Sequence, residues 1–185
     1  MKSLSDYIGH ELLIFQKSIW KRDFELRAGD ELIARLYYTK FFSDLAELTI
    51  QDKTYEFYRP SVFNRDVDIR EKGYQNPSAH FKNNFWGSKG VLELPRGSRL
   101  NMKFGFFRKQ AEIYLGENDL LITISSRFSF KERSEVIIEK RSEVIDEHPW
   151  IIMLGFYLAQ LMKRNGNGLK FRSGTGIFAI APELK

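Results

Sequence analysis

The stretch Pro149-Trp150-Ile151-Ile152-Met153-Leu154-Gly155-Phe156-Tyr157-Leu158-Ala159-Gln160-Leu161-Met162 carries one polar side chain, Gln160. A helix with no polar face has to be surrounded by protein or by lipid. Its 14 residues fall short of the roughly 20 that a bilayer requires, and Asp146 and Glu147 before it and Lys163 and Arg164 after it close both ends. The expectation is a core helix. Pro149 suits the first helical position, the two acids suit the positive end of the dipole, and Asn165-Gly166 offers a stop. Encirclement by a sheet accounts best for apolarity all round; packing in a cleft and a segment dipping into a membrane are the alternatives.

Upstream, apolar residues recur at every second position. Leu32, Ala34 and Leu36 alternate with Ile33, Arg35 and Tyr37; Val67 and Ile69 alternate with Asp66, Asp68 and Arg70; Met102, Phe104 and Phe106 alternate with Asn101, Lys103 and Gly105. Further strands are predicted over 12–17, 24–27, 45–50, 54–58, 79–85, 90–94, 110–115, 120–130 and 136–139, with a last one over 176–181. Turn residues at Ala28-Gly29-Asp30, Gln51-Asp52-Lys53, Pro95-Arg96-Gly97 and Gly116-Glu117-Asn118-Asp119 give hairpin spacing.

Strands of six or seven residues rise about 20 to 23 Å, and a 14-residue helix is about 21 Å long. About eight strands leave room only for side chains, whereas roughly twelve admit a helix. The reading is a mainly β protein, a closed antiparallel barrel of about twelve strands enclosing one hydrophobic C-terminal helix. Residues 1–185 are expected to form a single domain, being long enough for one core and short for two. Ala46-Glu47-Leu48-Thr49-Ile50 resembles Ala111-Glu112-Ile113-Tyr114-Leu115, a length of match that strand-like sequence also reaches by chance.

The 43% hydrophobic content excludes wholesale disorder. Cysteine is absent, so thiolate metal sites, disulfides and cysteine nucleophiles are excluded. Met1 to Asp6 lacks the pattern of a secretory signal. The expected location is the cytoplasm, with attachment to a membrane periphery left open. His10, His80 and His148 are too scattered for a metal signature, and Asn165-Gly166-Asn167-Gly168 and Ser173-Gly174-Thr175-Gly176 lack the ending of a phosphate loop. They read as turns. No catalytic constellation, metal or cofactor is expected, although triads built from distant strands leave no local pattern.

With these residues in view, Phe24-Glu25-Leu26 before the turn at Gly29, the alternating strands, and Pro149 to Leu158 followed by a final strand resemble the tubby C-terminal and LURP-one-related superfamily, to which phospholipid scramblases also belong. The resemblance implies a twelve-stranded barrel around a hydrophobic helix. It also implies a phosphoinositide head group as ligand, held by basic residues, as in tubby domains. Scramblase relatives carry an acidic, calcium-linked stretch before the helix; this chain has Asp146 and Glu147 there.

Charge is the strongest functional signal. Residues 81–110 hold seven cations, Lys82, Lys89, Arg96, Arg99, Lys103, Arg108 and Lys109, against the single acid Glu93. Lys163, Arg164, Lys170 and Arg172 follow with no acid between 163 and 172, whereas 111–162 holds five cations and nine acids. Phe81, Phe85, Trp86, Phe106 and Phe107 interleave the first basic segment, a combination suited to phospholipid heads or single-stranded nucleic acid. The expected activity is a non-catalytic module that attaches to anionic phospholipid through Lys89, Arg96, Arg99, Lys103, Arg108, Lys109, Lys170 and Arg172. The alternatives are a nucleic-acid-associated protein using the same surface, and an orphan structural domain whose cations form a solvated face.

Overall fold

A computed structural model describes residues 3–18, 21–40, 43–61, 65–84, 88–105, 109–127 and 132–170. The chain folds as a closed barrel of twelve strands. They are β1 (Leu12–Gln16), β2 (Asp23–Ala28), β3 (Glu31–Tyr38), β4 (Ala46–Ile50), β5 (Lys53–Tyr58), β6 (Val67–Glu71), β7 (Ala79–Asn83), β8 (Lys89–Glu93), β9 (Arg99–Phe104), β10 (Lys109–Leu115), β11 (Asp119–Arg127) and β12 (Arg133–Ile138). Each strand pairs antiparallel with the next, and β1 closes on β12 through Leu12 opposite Val136 and Phe15 opposite Arg133. Closure leaves no unpaired edge, which removes the aggregation hazard of an open sheet. Each strand expected from period-two alternation is present over the described residues; the ends of three windows, at 85, 106 and 128–130, and the whole window at 176–181 lie outside them, as do Arg172 and the turn at Ser173-Gly174-Thr175-Gly176.

Alternation sets the two faces of the wall. Leu26, Leu36, Leu48, Phe57, Ile69, Phe81, Leu92, Met102, Ile113 and Ile124 are fully buried inside, while their neighbours Arg35, Glu56, Arg70, Lys103 and Glu112 belong to the outer face. An apolar lumen and a charged exterior reverse the pattern of a barrel standing in lipid, whose outer band is apolar. Leu32 departs from its expected inward position and is 48% exposed. The register shifts between Leu26 opposite Ala34 and Arg27 opposite Leu32, so a bulge at Ile33 turns the start of β3 outward.

After β12 come α1 (Glu143–Glu147) and α2 (Ile151–Lys170). Two expectations are corrected. Pro149 stands in the turn before the long helix rather than at its first position, since α2 begins at Ile151. Asp146 and Glu147 precede the long helix as expected, within α1, and Asp146 accepts hydrogen bonds from the Ser5 amide at 2.8 Å and the Ser5 hydroxyl at 2.7 Å, pinning a 3-10 turn at Leu4–Tyr7. The Asn165-Gly166 stop is overrun, since α2 continues to Lys170. A helical glycine costs about 1 kcal/mol, too little by itself to end a helix already propagating. Trp150 to Met162 are all buried except Gln160, which is bonded to Glu132. Phe156 packs edge-on against Phe24 of β2 at 5.0 Å, and Tyr157 meets Tyr38 of β3 at 5.8 Å and Phe57 of β5 at 5.5 Å. A Cβ at Gly155 would lie 3.1 Å from Ile113 of β10 and 3.2 Å from Ile124 of β11, tighter than ordinary contact, so glycine suits this close approach of helix and wall.

The matching pentapeptides Ala46–Ile50 and Ala111–Leu115 form β4 and β10, six strands apart in a ring of twelve. The correspondence continues: Glu25, Leu26, Gly29 and Leu32 of β2 and β3 recur as Glu93, Leu94, Gly97 and Leu100 around β8 and β9. Gly29 and Gly97 both take positive φ, at 55° and 82°. The barrel is therefore two sets of six strands in similar order, β1 to β6 and β7 to β12.

Antiparallel neighbours put the connections after even-numbered strands at one end and those after odd-numbered strands at the other. The first end is capped by the 3-10 turn and α1, the second receives the C-terminal part of α2.

Candidate anion-binding groove

β8 and β9 present their outer faces side by side, with Lys89 directly opposite Lys103 and Val91 opposite Asn101. Two like charges placed directly across an antiparallel pair disfavour the sheet by a few tenths of a kcal/mol or more unless something compensates. For Lys103 the compensation is visible. Its ammonium sits 4.0 Å from the centre of the Tyr114 ring, and Glu112 of β10 lies opposite it. Lys89 is exposed and has no carboxylate partner among the described residues.

Lys82 of β7 brings a third cation to the same face. Its ammonium contacts Glu93 at 2.8 Å, and Arg99 reaches the other oxygen of that carboxylate at 3.5 Å. The hydrogen bond from Lys82 is the main reason the Glu93 carboxyl is held below its usual range. On the far side, Asn101 donates its amide to the Gly116 carbonyl at 2.6 Å, which draws the β10–β11 turn over the wall. Together Lys82, Lys89, Lys103, Asn83, Asn84, Asn101, Asn118 and Glu117 line an open groove of about 670 Å³. Three ammonium groups beside amide side chains, against one carboxylate, suit an anion carrying several oxygens, such as a phosphate ester.

Gly90 keeps the wall beneath the groove thin. It faces inward, and a Cβ there would meet the Phe81 ring and lie 2.6 Å from the Lys82 carbonyl. The ring of Phe81 therefore fills the place where Gly90 has no side chain, and Phe81 belongs to the core.

Of the cations singled out in the sequence, the structure brings Lys89 and Lys103 together. Arg99 is engaged with Glu93 one row along, and Arg96 stands in the β8–β9 connection at the capped end, in the left-handed region at φ 61°, 3.9 Å from Glu147. Lys109 opens β10 and Lys170 closes α2, their side chains outside the described residues, as are Arg108 and Arg172 and the aromatics Phe85, Trp86, Phe106 and Phe107. Sequence reasoning counted Lys82 as a charge without making it part of the site, and passed over Asn84, Asn101 and Asn118. Among the described residues no group of three or more His, Asp or Glu is placed to hold a metal ion, and no helix is long and apolar enough to cross a membrane. Comparison of the chain with family models, curated proteins and solved structures finds no match.

Proposed function

We propose that the chain is a non-catalytic binding module that takes the phosphate-bearing head group of an anionic phospholipid on its outer wall. The observation that carries this reading is the groove over β8 and β9, where three lysines and four asparagines, with Glu117, line one open volume. The accompanying reading of the fold is a barrel that encloses α2. Its support is that one helix meets side chains of β2, β3 and β5 on one side and of β10 and β11 on the other. A lumen filled by a helix has no room for a ligand, which directs recognition to the outer surface. This is also the architecture that the resemblance to the tubby and LURP-one-related superfamily implies, and the kinship is proposed on that ground.

The test is titration with inositol 1,4,5-trisphosphate by calorimetry, beside flotation with phosphatidylserine vesicles at low salt. The wild type should bind both. Each cation near an anionic surface contributes about 1 kcal/mol, so Lys89→Glu with Lys103→Glu should weaken vesicle binding by several hundredfold. A wild type that binds neither probe overturns the proposal, and preferential binding of single-stranded DNA transfers the surface to nucleic acid.

A further inference from the structure

The correspondence between the two sets of six strands extends to their charges. At the offset that carries Glu25 to Glu93 and Gly29 to Gly97, Lys21 falls on Lys89, Arg35 on Lys103 and Lys40 on Arg108. Lys89 and Lys103 line the groove over β8 and β9, and Lys21 and Arg35 line a second groove, of about 400 Å³, over β2 and β3. The two grooves lie six strands apart in a ring of twelve, on opposite walls.

Four cations line the second groove, Lys21, Arg22, Arg35 and Lys40, with one acid, Asp23. The acid is already neutralised. Asp23 is buried, and the Arg35 guanidinium donates to both of its oxygens, at 2.9 and 2.6 Å. That pair carries no net charge, so Lys21, Arg22 and Lys40 set the potential of the groove. Lys21 and Lys40 are exposed, and none of the three has a carboxylate partner among the described residues.

Arg22 makes this groove more than a pair of surface lysines. It is half-buried, its guanidinium lies 3.3 Å from the centre of the Tyr38 ring, and it donates to the Ser43 carbonyl at 3.3 Å. The Asp44 carboxylate, whose field reaches Arg22, is held by Arg59 at 3.2 Å and Arg164 at 3.0 Å. Three guanidinium groups thus share one carboxylate. A cation that is partly dehydrated, fixed in place and short of a counter-ion gives up little freedom when an anion reaches it. A planar guanidinium also offers parallel N–H donors to two phosphate oxygens, which a lysine cannot do. In the other groove the corresponding residue is Gly90, with no side chain to offer.

From this we infer that the chain carries a second anion site, over β2 and β3, which takes a phosphate monoester on Arg22 between Lys21 and Lys40. The site goes beyond the groove over β8 and β9 and stands on its own residues. Internal repetition then makes the module bivalent, with one phosphate site on each half of the barrel.

Calorimetry with inositol 1,4,5-trisphosphate at low salt should count two equivalents per chain. Lys21→Gln with Lys40→Gln alters exposed positions and should leave the thermal midpoint unchanged, while one equivalent weakens beyond detection. Arg22→Gln should lose the same equivalent, because a charge-assisted hydrogen bond is worth about tenfold or more in affinity. If Arg22→Gln lowers the midpoint, the exposed double variant carries the decision. Lys89→Glu with Lys103→Glu should remove the other equivalent and spare this one. Flotation with vesicles carrying phosphatidylinositol 4,5-bisphosphate identifies the source of the phosphate. A fall of about 25-fold in the Lys21 and Lys40 variant, at roughly fivefold per cation, assigns the site to a lipid head group; unchanged flotation with the loss of one soluble equivalent assigns it to a free phosphate ester. A single equivalent, abolished by the Lys89 and Lys103 changes and indifferent to Lys21, Arg22 and Lys40, overturns the second site and leaves the first groove standing. A single equivalent with the opposite dependence upholds the second site and overturns the first. Binding of none overturns both.

Discussion

Among the described residues, the contacts of the capped end join the 3-10 turn, α1 and the adjoining strands, whereas those of the other end, the loop end, gather on Asp44 and on the C-terminal part of α2. The comparison separates two ways of closing one barrel. At the capped end Asp146 of α1 holds Ser5, the Tyr7 hydroxyl donates to Glu31 at 2.8 Å, and Lys140 contacts Asp119 at 2.9 Å. At the loop end the interactions turn inward, onto the helix. The Tyr157 hydroxyl donates to the Asp44 carbonyl at 2.5 Å, Arg164 and Arg59 contact the Asp44 carboxylate at 3.0 and 3.2 Å, and Lys163 contacts Glu132 at 3.3 Å. Arg22 lies 3.3 Å from the centre of the Tyr38 ring, and burial pulls its guanidinium below the usual arginine range. These groups fix the roots of the connections, and the cations beyond them remain available.

The largest effect is expected where the ends share a support. Leu158 is fully buried on α2. Leu158→Asp would leave an unpaired charge in the core, and the variant should be recovered as insoluble protein. The milder Leu158→Ala should cost about 2 to 5 kcal/mol in chemical denaturation, since the lost side chain leaves a cavity. A loss below 1 kcal/mol would show that the helix is loosely packed and would remove the case for an enclosed α2.

Next comes Gly90→Ala, which acts on the wall between the ends. The added methyl must displace the Phe81 ring and the Lys82 backbone, and overpacking of this kind costs about 1 to 3 kcal/mol. Because the same shift moves Lys82, affinity for inositol trisphosphate should fall with stability, whereas Leu158→Ala should leave it alone. Equal affinity in both variants would detach the groove from the wall beneath it.

How much of this was legible depended on whether a feature is local. Strands announce themselves by period two, because each alternate side chain enters one core, and α2 announces itself by having no polar side at all. Element ends were less legible. The short α1 buries only Ile145 and so has no period to detect, and the bulge that exposes Leu32 is a matter of pairing with β2. For the groove, the charges of Lys89 and Lys103 were visible in the chain, but their opposition comes from register. Asn101 and Asn118 line one groove because the β10–β11 turn is held to β9 by the bond from Asn101 to the Gly116 carbonyl. The charge contrast between the ends, eight cations and three acids in the odd-numbered connections against four cations and nine acids at the capped end, was the least legible of all, since consecutive connections alternate between ends and the linear count averages them.

A smaller effect should separate the ends by pH. Burial, with the hydrogen bond to Glu31 next, pushes the Tyr7 phenol up to about 12. A raised folded value means that its contribution is complete below the unfolded value near 10 and is lost as the pH climbs from there toward 12. Thermal midpoints should fall over that window in the wild type, and less steeply in Tyr7→Phe, which at neutral pH should cost about 1 kcal/mol. Parallel curves would show that the capped end does not loosen through Tyr7.

The smallest effect on stability belongs to exposed cations of the loop end. Lys21 and Lys40 are exposed, without carboxylate partners among the described residues, at an end with excess positive charge. Lys21→Glu with Lys40→Glu removes two repelling cations and supplies two attractive acids, so its sign should be neutral to stabilising, within about 0.5 kcal/mol per site. Mutual repulsion among surface charges is screened over about 10 Å at 0.1 M salt. Any gain should therefore shrink when denaturation midpoints are compared at 20 and 500 mM salt. A loss above 1 kcal/mol would mean that these lysines serve the fold, and the comparison of the two ends would fail there.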